Sequence, residues 1–179
     1  MPLLAERMND CKGKLRQVDQ LIQSVGVTTV VFGQAWRNLS GLLDNPAIVA
    51  SFEARLSSVP RGKATFIILN MPAGLEFSLT SLLSGSRLNR LEYRPDADHF
   101  VDETAARAPF PRLDAILREI AARQGATVLD PFDSFCSDSK CPLIDRLGTP
   151  LYKDTAHITA SYARESARFI DLTLTAGKP

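Results

Sequence analysis

Three short apolar runs, separated by longer segments with helical periodicity, are the feature of this sequence that most constrains its fold. The runs are VTTVVFG at 27–33, KATFIILN at 63–70 and ATVLD at 126–130. Their length and their β-branched residues are typical of buried strands. Strands that alternate with helices favour a parallel sheet with helices on both faces, so the sequence predicts a three-layer α/β fold.

The segments between the runs predict helices from the spacing of their apolar residues and from the residues at their ends. Residues 111–124 are the clearest case, since Pro111 suits a first helical position and Gly125 a helix end. Residues 74–100 show no clear period and are predicted to be a loop with at most one short helix. The predicted helices are 12–25 with Leu15, Val18, Leu21, Ile22 and Val25 on one face, 46–58 with Ile48, Val49, Phe52 and Leu56, 111–124 with Leu113, Ile116, Leu117 and Ile120 buried, and about 160–174 with Ala163, Ala167, Ile170 and Leu174 buried.

Length and charge limit the possible functions. With 179 residues and no internal repeat or linker, the chain is expected to be one domain, residues 1–179. The 21 basic and 20 acidic residues give a net charge of +1, which gives no reason to expect nucleic acid as a partner. No apolar run approaches the roughly 20 residues that span a bilayer. Because the start of the chain has no apolar stretch typical of a signal peptide, the chain expressed as given is expected in the cytoplasm.

Two of the three cysteines, Cys136 and Cys141, are separated by four residues. This spacing allows a small disulfide loop, which would indicate an oxidising compartment, and it equally allows two free thiols. The pair could also supply two zinc ligands, but no second Cys or His pair completes a tetrahedral site. Neither a metal nor a cofactor is therefore predicted.

Candidate site residues follow the predicted strands, because parallel sheets place their sites at the carboxyl ends of strands. The backbone N–H of Gly33 and the side chains of Asn38 and Asn70 could donate hydrogen bonds to an oxyanion, although asparagine at a strand end is also a common turn residue. Trp36 and Arg37 could line a pocket for an acceptor sugar, and Trp36 is equally compatible with the core.

Asp154 lies three residues before His157, one of only two histidines. An acid at this distance can reach Nδ1 of the imidazole across a short turn, which would leave Nε2 to act as a base. Thr159 or Ser161 would then begin the last helix as its N-cap. The alternative is that His157 is a surface or capping residue. His99, in an irregular segment, is expected to be a surface loop residue.

The segment CPLIDRLGTPLYKDTAHITASYARESARFI resembles the closing part of the SGNH hydrolase-like domain that is attached to acyltransferase-3-type membrane proteins, which O-acetylate bacterial surface polysaccharides. The runs VTTVVFGQAWRNLSG and VLDPFDSFC are also similar to parts of that domain, and the resemblance covers about residues 10–175. Ile158-Thr159 departs from the family's usual Leu-Ser. The matching positions, in order, are Cys136, Cys141, Gly148, Pro150, Leu151, Tyr152, Asp154 and His157.

The resemblance implies the SGNH hydrolase fold, which is flavodoxin-like, with His157 as the catalytic base and Asp154 as the acid that orients it. It implies acyl transfer to, or hydrolysis of acyl esters from, a carbohydrate, with acetyl as the acyl group. It also implies a membrane acyltransferase domain as a partner in the parent protein. The domain would then be periplasmic or otherwise extracytoplasmic.

The serine nucleophile of such domains lies in a Gly-Asp-Ser motif after the first strand, and this motif does not occur in the 179 residues. The chain is therefore expected to be an SGNH domain without its first block and without the first strand, which is normally central in the sheet, so that an unpaired edge would be exposed. Ser40 and Ser134 lie near predicted strand ends but not in a strand-turn-helix elbow. The alternative is an inactive remnant or a carbohydrate-binding module. A phosphate or cofactor binder is disfavoured, because no Gly-rich loop follows a strand.

Overall fold

Three parallel strands, Thr29–Phe32, Ala64–Ile68 and Thr127–Leu129, form the main sheet of the computed structural model, which describes residues 2–38, 45–85, 90, 92–94 and 99–176. The second strand is central, with Val31 opposite Phe66 on one side and Phe66 opposite Thr127 on the other. The predicted α/β class and parallel sheet are thus confirmed. In chain order the strands are β1 Thr29–Phe32, β2 Ala64–Ile68, β3 Leu83–Ser84, β4 Glu92–Tyr93, β5 Phe100–Asp102, β6 Thr127–Leu129 and β7 Lys140–Pro142.

The helices alternate with the strands, and residues identifiable in the sequence set their ends. Asn45 caps the helix that starts at Pro46, since its side chain accepts from the backbone N–H of Ala47. Gly125 ends the helix over 111–124 with φ 65°, a conformation that favours glycine. The helices are α1 Pro2–Gln23, α2 Pro46–Ser57, α3 Glu103–Arg107, α4 Pro111–Gln124, α5 Phe132–Phe135, α6 Ala160–Ser166 and α7 Asp171–Thr175.

Two groups of buried side chains form the core. The first lies where α2 and α4 pack on the sheet, and Ile67, Leu117 and Ile120 are fully buried there. Each such aliphatic side chain contributes roughly 2 kcal/mol on burial. The second group is rich in aromatic residues and lies beneath the segments after β2 and β6. It includes Phe77, Phe110, Phe132, Phe135, Cys141, Tyr152 and Tyr162.

The apolar stripe of α1 is not buried as its spacing predicted. Ile22 is buried, whereas Leu15, Val18, Leu21 and Val25 are exposed, Val25 at 98%. The helix itself is confirmed and is held instead by polar contacts, among them the ion pair between Asp19 and Arg55. Within the described residues no strand lies beyond β1, so the helix has no further sheet surface to cover.

The predicted last helix is divided into α6, a 3₁₀ turn over Arg168–Ile170 and α7. Ala167, with ψ 44°, interrupts the helix. The predicted burial of Ile170 and Leu174 is wrong, since these side chains are 38% and 69% exposed. Tyr162, earlier on the same segment, is buried instead, with its ring packed at a tilt against Phe135.

The described parts of 74–100 contain more structure than the predicted loop. Two 3₁₀ turns, Leu75–Phe77 and Leu79–Leu82, precede β3, which pairs with β4. The strand β5 pairs antiparallel with β7, 38 or more residues further along the chain. Turns and strands this short carry no readable periodicity, so the sequence pattern could not predict them.

The direct pairing of β1 with β2 and of β2 with β6 leaves no place for another strand between them. In the described part of the chain the open edges of this sheet are those of β1 and β6, and Val31 on β1 is 42% exposed. None of the described helices is long and apolar enough to cross a bilayer.

Candidate active site

A cleft of about 450 Å³ lies at the carboxyl ends of β1 and β2, where a parallel sheet is expected to carry its site. It brings together five residues that the sequence singled out: Gly33, Arg37, Asn38, Asn70 and His157. His157 reaches it from the loop before α6, more than 80 residues along the chain from Asn70. The fold thus joins positions that are remote in the sequence.

Asp154 and His157 share one tight turn. Oδ1 of Asp154 accepts from the backbone N–H of Ala156 at 2.8 Å and from that of His157 at 2.9 Å. Such side-chain-to-backbone bonds are the usual way in which aspartate closes a turn. Nδ1 of His157 lies 2.9 Å from each carboxylate oxygen of Asp154. The acid therefore holds the ring by one nitrogen and leaves Nε2 without a partner in the described part of the chain.

Hydrogen bonds keep the Asp154 carboxylate charged. The pKa of Asp154 is lowered, first by the bond from the Ala156 backbone and then by the His157 side chain. Both side chains are open to solvent, with Asp154 48% and His157 74% exposed. The carboxylate thus orients the imidazole, which is accessible from the cleft.

The turn is anchored on both sides by contacts with the rest of the fold. Leu151 and Tyr152 precede it in the core, and Tyr152 forms a β-bridge with Ile158 across the turn. The backbone N–H of Gly74 donates to the carbonyl of Thr155 at 2.9 Å, which joins the turn to the segment after β2. Thr159 then caps α6, accepting from Tyr162, so the turn is fixed relative to the sheet.

Asn70 fixes the loop after β1 against the end of β2. It is 4% exposed; its Oδ1 accepts from the backbone N–H of Arg37 and its Nδ2 donates to Asp114, both at 3.2 Å. Burial raises the pKa of the Asp114 carboxyl. Because both ends of the amide have protein partners, the geometry favours a positioning role for Asn70 over oxyanion binding.

Trp36 and Gly33 lie in the segment after β1, and both are set against Ile68 at the end of β2. Nε1 of Trp36 donates to the carbonyl of Ile68 at 2.6 Å, and the ring is 1% exposed against Phe52. Trp36 is thus a core residue, one of the two readings that the sequence allowed. Gly33 is exposed, and a Cβ there would lie 3.2 Å from Cδ1 of Ile68, so glycine permits the close approach of β1 and β2 at this point.

A comparison with protein families agrees with the fold. The family model described as "SGNH domain (fused to AT3 domains)" matches residues 1–171. The chain belongs to this SGNH family. It is an SGNH-type, acyltransferase- or esterase-like domain of the kind that is fused to AT3 domains. No curated protein and no solved structure matched the chain.

In SGNH chemistry, a histidine held by an acid takes the proton of a serine hydroxyl. Among the described residues no serine hydrogen-bonds to His157. Ser161 shares a neighbouring cleft with His157, but its Oγ lies 3.2 Å from Oγ1 of Thr159. Ser134 lies on α5, outside the lining of either cleft, and Ser40 lies outside the described residues.

Cys136 and Cys141 form a disulfide, with Cys141 fully buried. His99 lies away from the cleft, where Nε2 hydrogen-bonds to the Tyr93 hydroxyl. In the part of the chain that the structure describes, no group of three or more Cys, His, Asp or Glu residues could hold a metal ion.

One residue of the site, Asp114, was missed from the sequence. It lies on α4 one position after the buried Leu113, and nothing in the helix pattern marks it. Only the fold brings it under Asn70. A carboxylate in the first turn of a helix can pair with an asparagine at a strand end, and this combination could have pointed to Asp114 and Asn70.

Proposed function

We propose that this SGNH domain supplies the acid and base for acyl transfer to, or ester hydrolysis from, a bacterial surface carbohydrate with O-acetyl groups. One observation carries the proposal: Asp154 holds Nδ1 of His157 at 2.9 Å with both carboxylate oxygens, while the histidine lines the cleft at the strand ends. A general base needs a fixed orientation and one free ring nitrogen.

In the proposed reaction, Nε2 of His157 accepts the proton of a serine hydroxyl as the serine oxygen attacks the ester carbonyl. The imidazolium then gives this proton to the departing sugar oxygen, which leaves an acyl-serine. A second hydroxyl, from an acceptor sugar or from water, attacks the acyl-serine, with its proton passing first to His157 and then to the serine oxygen. Asp154 keeps the ring in the required tautomer and stabilises the imidazolium. Gly33 offers its backbone N–H to the oxyanion.

The serine itself is proposed to come from a Gly-Asp-Ser segment outside these 179 residues. The parent protein is proposed to carry a membrane acyltransferase domain and to place the SGNH domain outside the cytoplasm. The fusion of such domains in the family supports this placement. The disulfide between Cys136 and Cys141 supports it too, because disulfides persist in oxidising compartments.

The alternative is an inactive remnant that retains the fold, or a carbohydrate-binding module. Two observations favour it: the sequence contains no Gly-Asp-Ser, and the His157 side chain is 74% exposed rather than enclosed with a nucleophile. The DNA upstream of Met1 separates the two. An in-frame Gly-Asp-Ser after an apolar run supports the enzyme, and a stop codon directly upstream contradicts the proposed source of the serine.

The activity test uses the product of the complete reading frame, with p-nitrophenyl acetate and an O-acetylated oligosaccharide as substrates. Because general-base catalysis contributes about 10²–10⁴-fold, His157→Ala is expected to lower kcat/KM by at least 100-fold. His99→Ala is the matched control, since it removes the other histidine and should retain the rate. Equal rates for His157→Ala and the unchanged protein would overturn the proposal. The 179-residue chain alone is expected to show no hydrolysis that depends on His157.

A further inference from the structure

Arg37 lies where the catalytic cleft meets a second cleft of about 460 Å³. The second cleft runs between the loop after β1 and the start of α4, past Phe110 and Arg112. Arg37 and Ala73 line both clefts, which makes Arg37 the polar side chain common to the two. A ligand that reaches His157 through the second cleft would pass the Arg37 guanidinium.

The backbone of Arg37 is fixed while its guanidinium is free. Asn70 holds its N–H, and the neighbouring Trp36 is bonded to β2. The exposed side chain makes no hydrogen bond or ion pair with any described residue. Four other arginines, Arg55, Arg107, Arg118 and Arg123, each pair with a carboxylate.

Neither cleft has a carboxylate among the described residues that line it. The charged or titratable side chains there are Arg37, Arg112 and His157. Two carboxylates lie nearby: Glu76 against Gly74 at the margin of the second cleft, and Asp114 beneath Asn70. A cleft lined by one sign of charge concentrates ligands of the opposite sign. The planar guanidinium binds carboxylate and phosphate oxygens through two parallel hydrogen bonds.

We propose that Arg37 selects an acidic sugar, one that carries a carboxylate or phosphate group beside the hydroxyl or ester presented to His157. The proposal rests on the proposed function for the reaction, but the binding preference requires neither an acyl group nor a nucleophile. Arg37 is thus a specificity residue for the anionic part of the substrate.

The test measures binding of three probes to the folded chain: methyl β-D-glucuronide, the neutral methyl β-D-glucoside, and glucose 6-phosphate. Trp36, the single tryptophan, adjoins Arg37 and reports by fluorescence, with amide NMR shifts as a second readout. At least one anionic probe is expected to bind about 10-fold or more tightly than the glucoside, as for charge-assisted bonds to a guanidinium. The anionic probe that binds more tightly shows whether the site prefers a carboxylate or a phosphate group.

Arg37→Gln is expected to reduce this preference to about twofold or less. Arg37→Lys keeps the positive charge but cannot make the two parallel hydrogen bonds of a guanidinium, so it should give an intermediate preference. This variant replaces Arg37→Gln as the test if the glutamine variant does not fold. Arg146→Gln is the matched control, since Arg146 is exposed on another loop without an ion pair among the described residues, and it should keep the full preference.

Three results would overturn the inference: equal affinity for anionic and neutral probes, no binding of any probe, or a preference that survives in Arg37→Gln. The two proposals can fail separately. A preference that depends on Arg37 without activity that depends on His157 would refute the proposed function alone. Activity that depends on His157 without the anion preference would refute the role of Arg37 alone.

Discussion

Two buried tyrosines allow the sharpest test of the structure, because one hydroxyl has a partner and the other has none. The Tyr162 hydroxyl donates to the carbonyl of Phe135 at 3.2 Å. The Tyr152 hydroxyl is fully buried with no hydrogen-bond partner in the described part of the chain. Each phenylalanine variant keeps its ring and the apolar contacts of that ring, so the free energy of unfolding changes through the hydroxyl alone.

Tyr162→Phe removes a buried hydrogen bond and leaves a carbonyl without that donor, so it is expected to cost about 1–2 kcal/mol. Tyr152→Phe removes a hydroxyl that loses its hydrogen bonds to water on folding and gains none in the protein. The free energy of unfolding is therefore expected to stay equal or to rise by about 1 kcal/mol. The two variants should differ by about 2 kcal/mol, which in a domain of this size is about 4–8 °C in Tm.

Urea denaturation at pH 7 measures both variants against the unchanged chain. A loss of more than about 1 kcal/mol in Tyr152→Phe would refute the reasoning, because it would show that the hydroxyl has a partner. An alkaline series gives a second reading. Burial raises the pKa of Tyr162 to about 12, so above pH 10 the unfolded chain loses the phenolic proton first and stability falls. Tyr162→Phe should weaken that alkaline decline.

Two further predictions concern the turn and the disulfide. In the product of the complete reading frame, Asp154→Asn is expected to lower kcat by about 10³-fold or more while keeping an oxygen that can close the turn. Asp154→Ala removes that oxygen as well, so it should also loosen the loop and lower Tm. Equal Tm values for the two variants would count against the role of Asp154 in the turn. Replacing Cys136 and Cys141 together with alanine should lower the free energy of unfolding in urea by about 2 kcal/mol, as expected for so short a disulfide loop. Cys11→Ala is the control. An unchanged urea midpoint in the double variant would contradict a formed disulfide.

The parallel strands and the central helices could be predicted from the sequence because their signals are local. The run at 63–70 contains β2, and α4 begins at Pro111 and ends before Gly125, as expected from the residues at its ends. Asp154 and His157 were also found from local spacing, since an acid and a histidine three residues apart can share one turn.

What could not be predicted depends on contacts between distant parts of the chain. The amide of Asn70 joins the loop after β1 to Asp114 on α4, 44 residues away. Arg37 could be singled out as a pocket residue from the sequence, but its position at the junction of two clefts comes from the fold. The apolar stripe of α1 shows the converse, since a helical pattern predicts burial only where the fold supplies a surface to cover it.

Covalent labelling of the complete reading-frame product tests the central claim most directly, namely that His157 activates a serine outside these 179 residues. A fluorophosphonate probe is expected to modify a serine that precedes residue 1, as located by peptide mass spectrometry. The labelling rate should fall by at least 100-fold in His157→Ala and stay unchanged in His99→Ala. Labelling of a serine within the 179 residues, or an unchanged rate in His157→Ala, would contradict the claim.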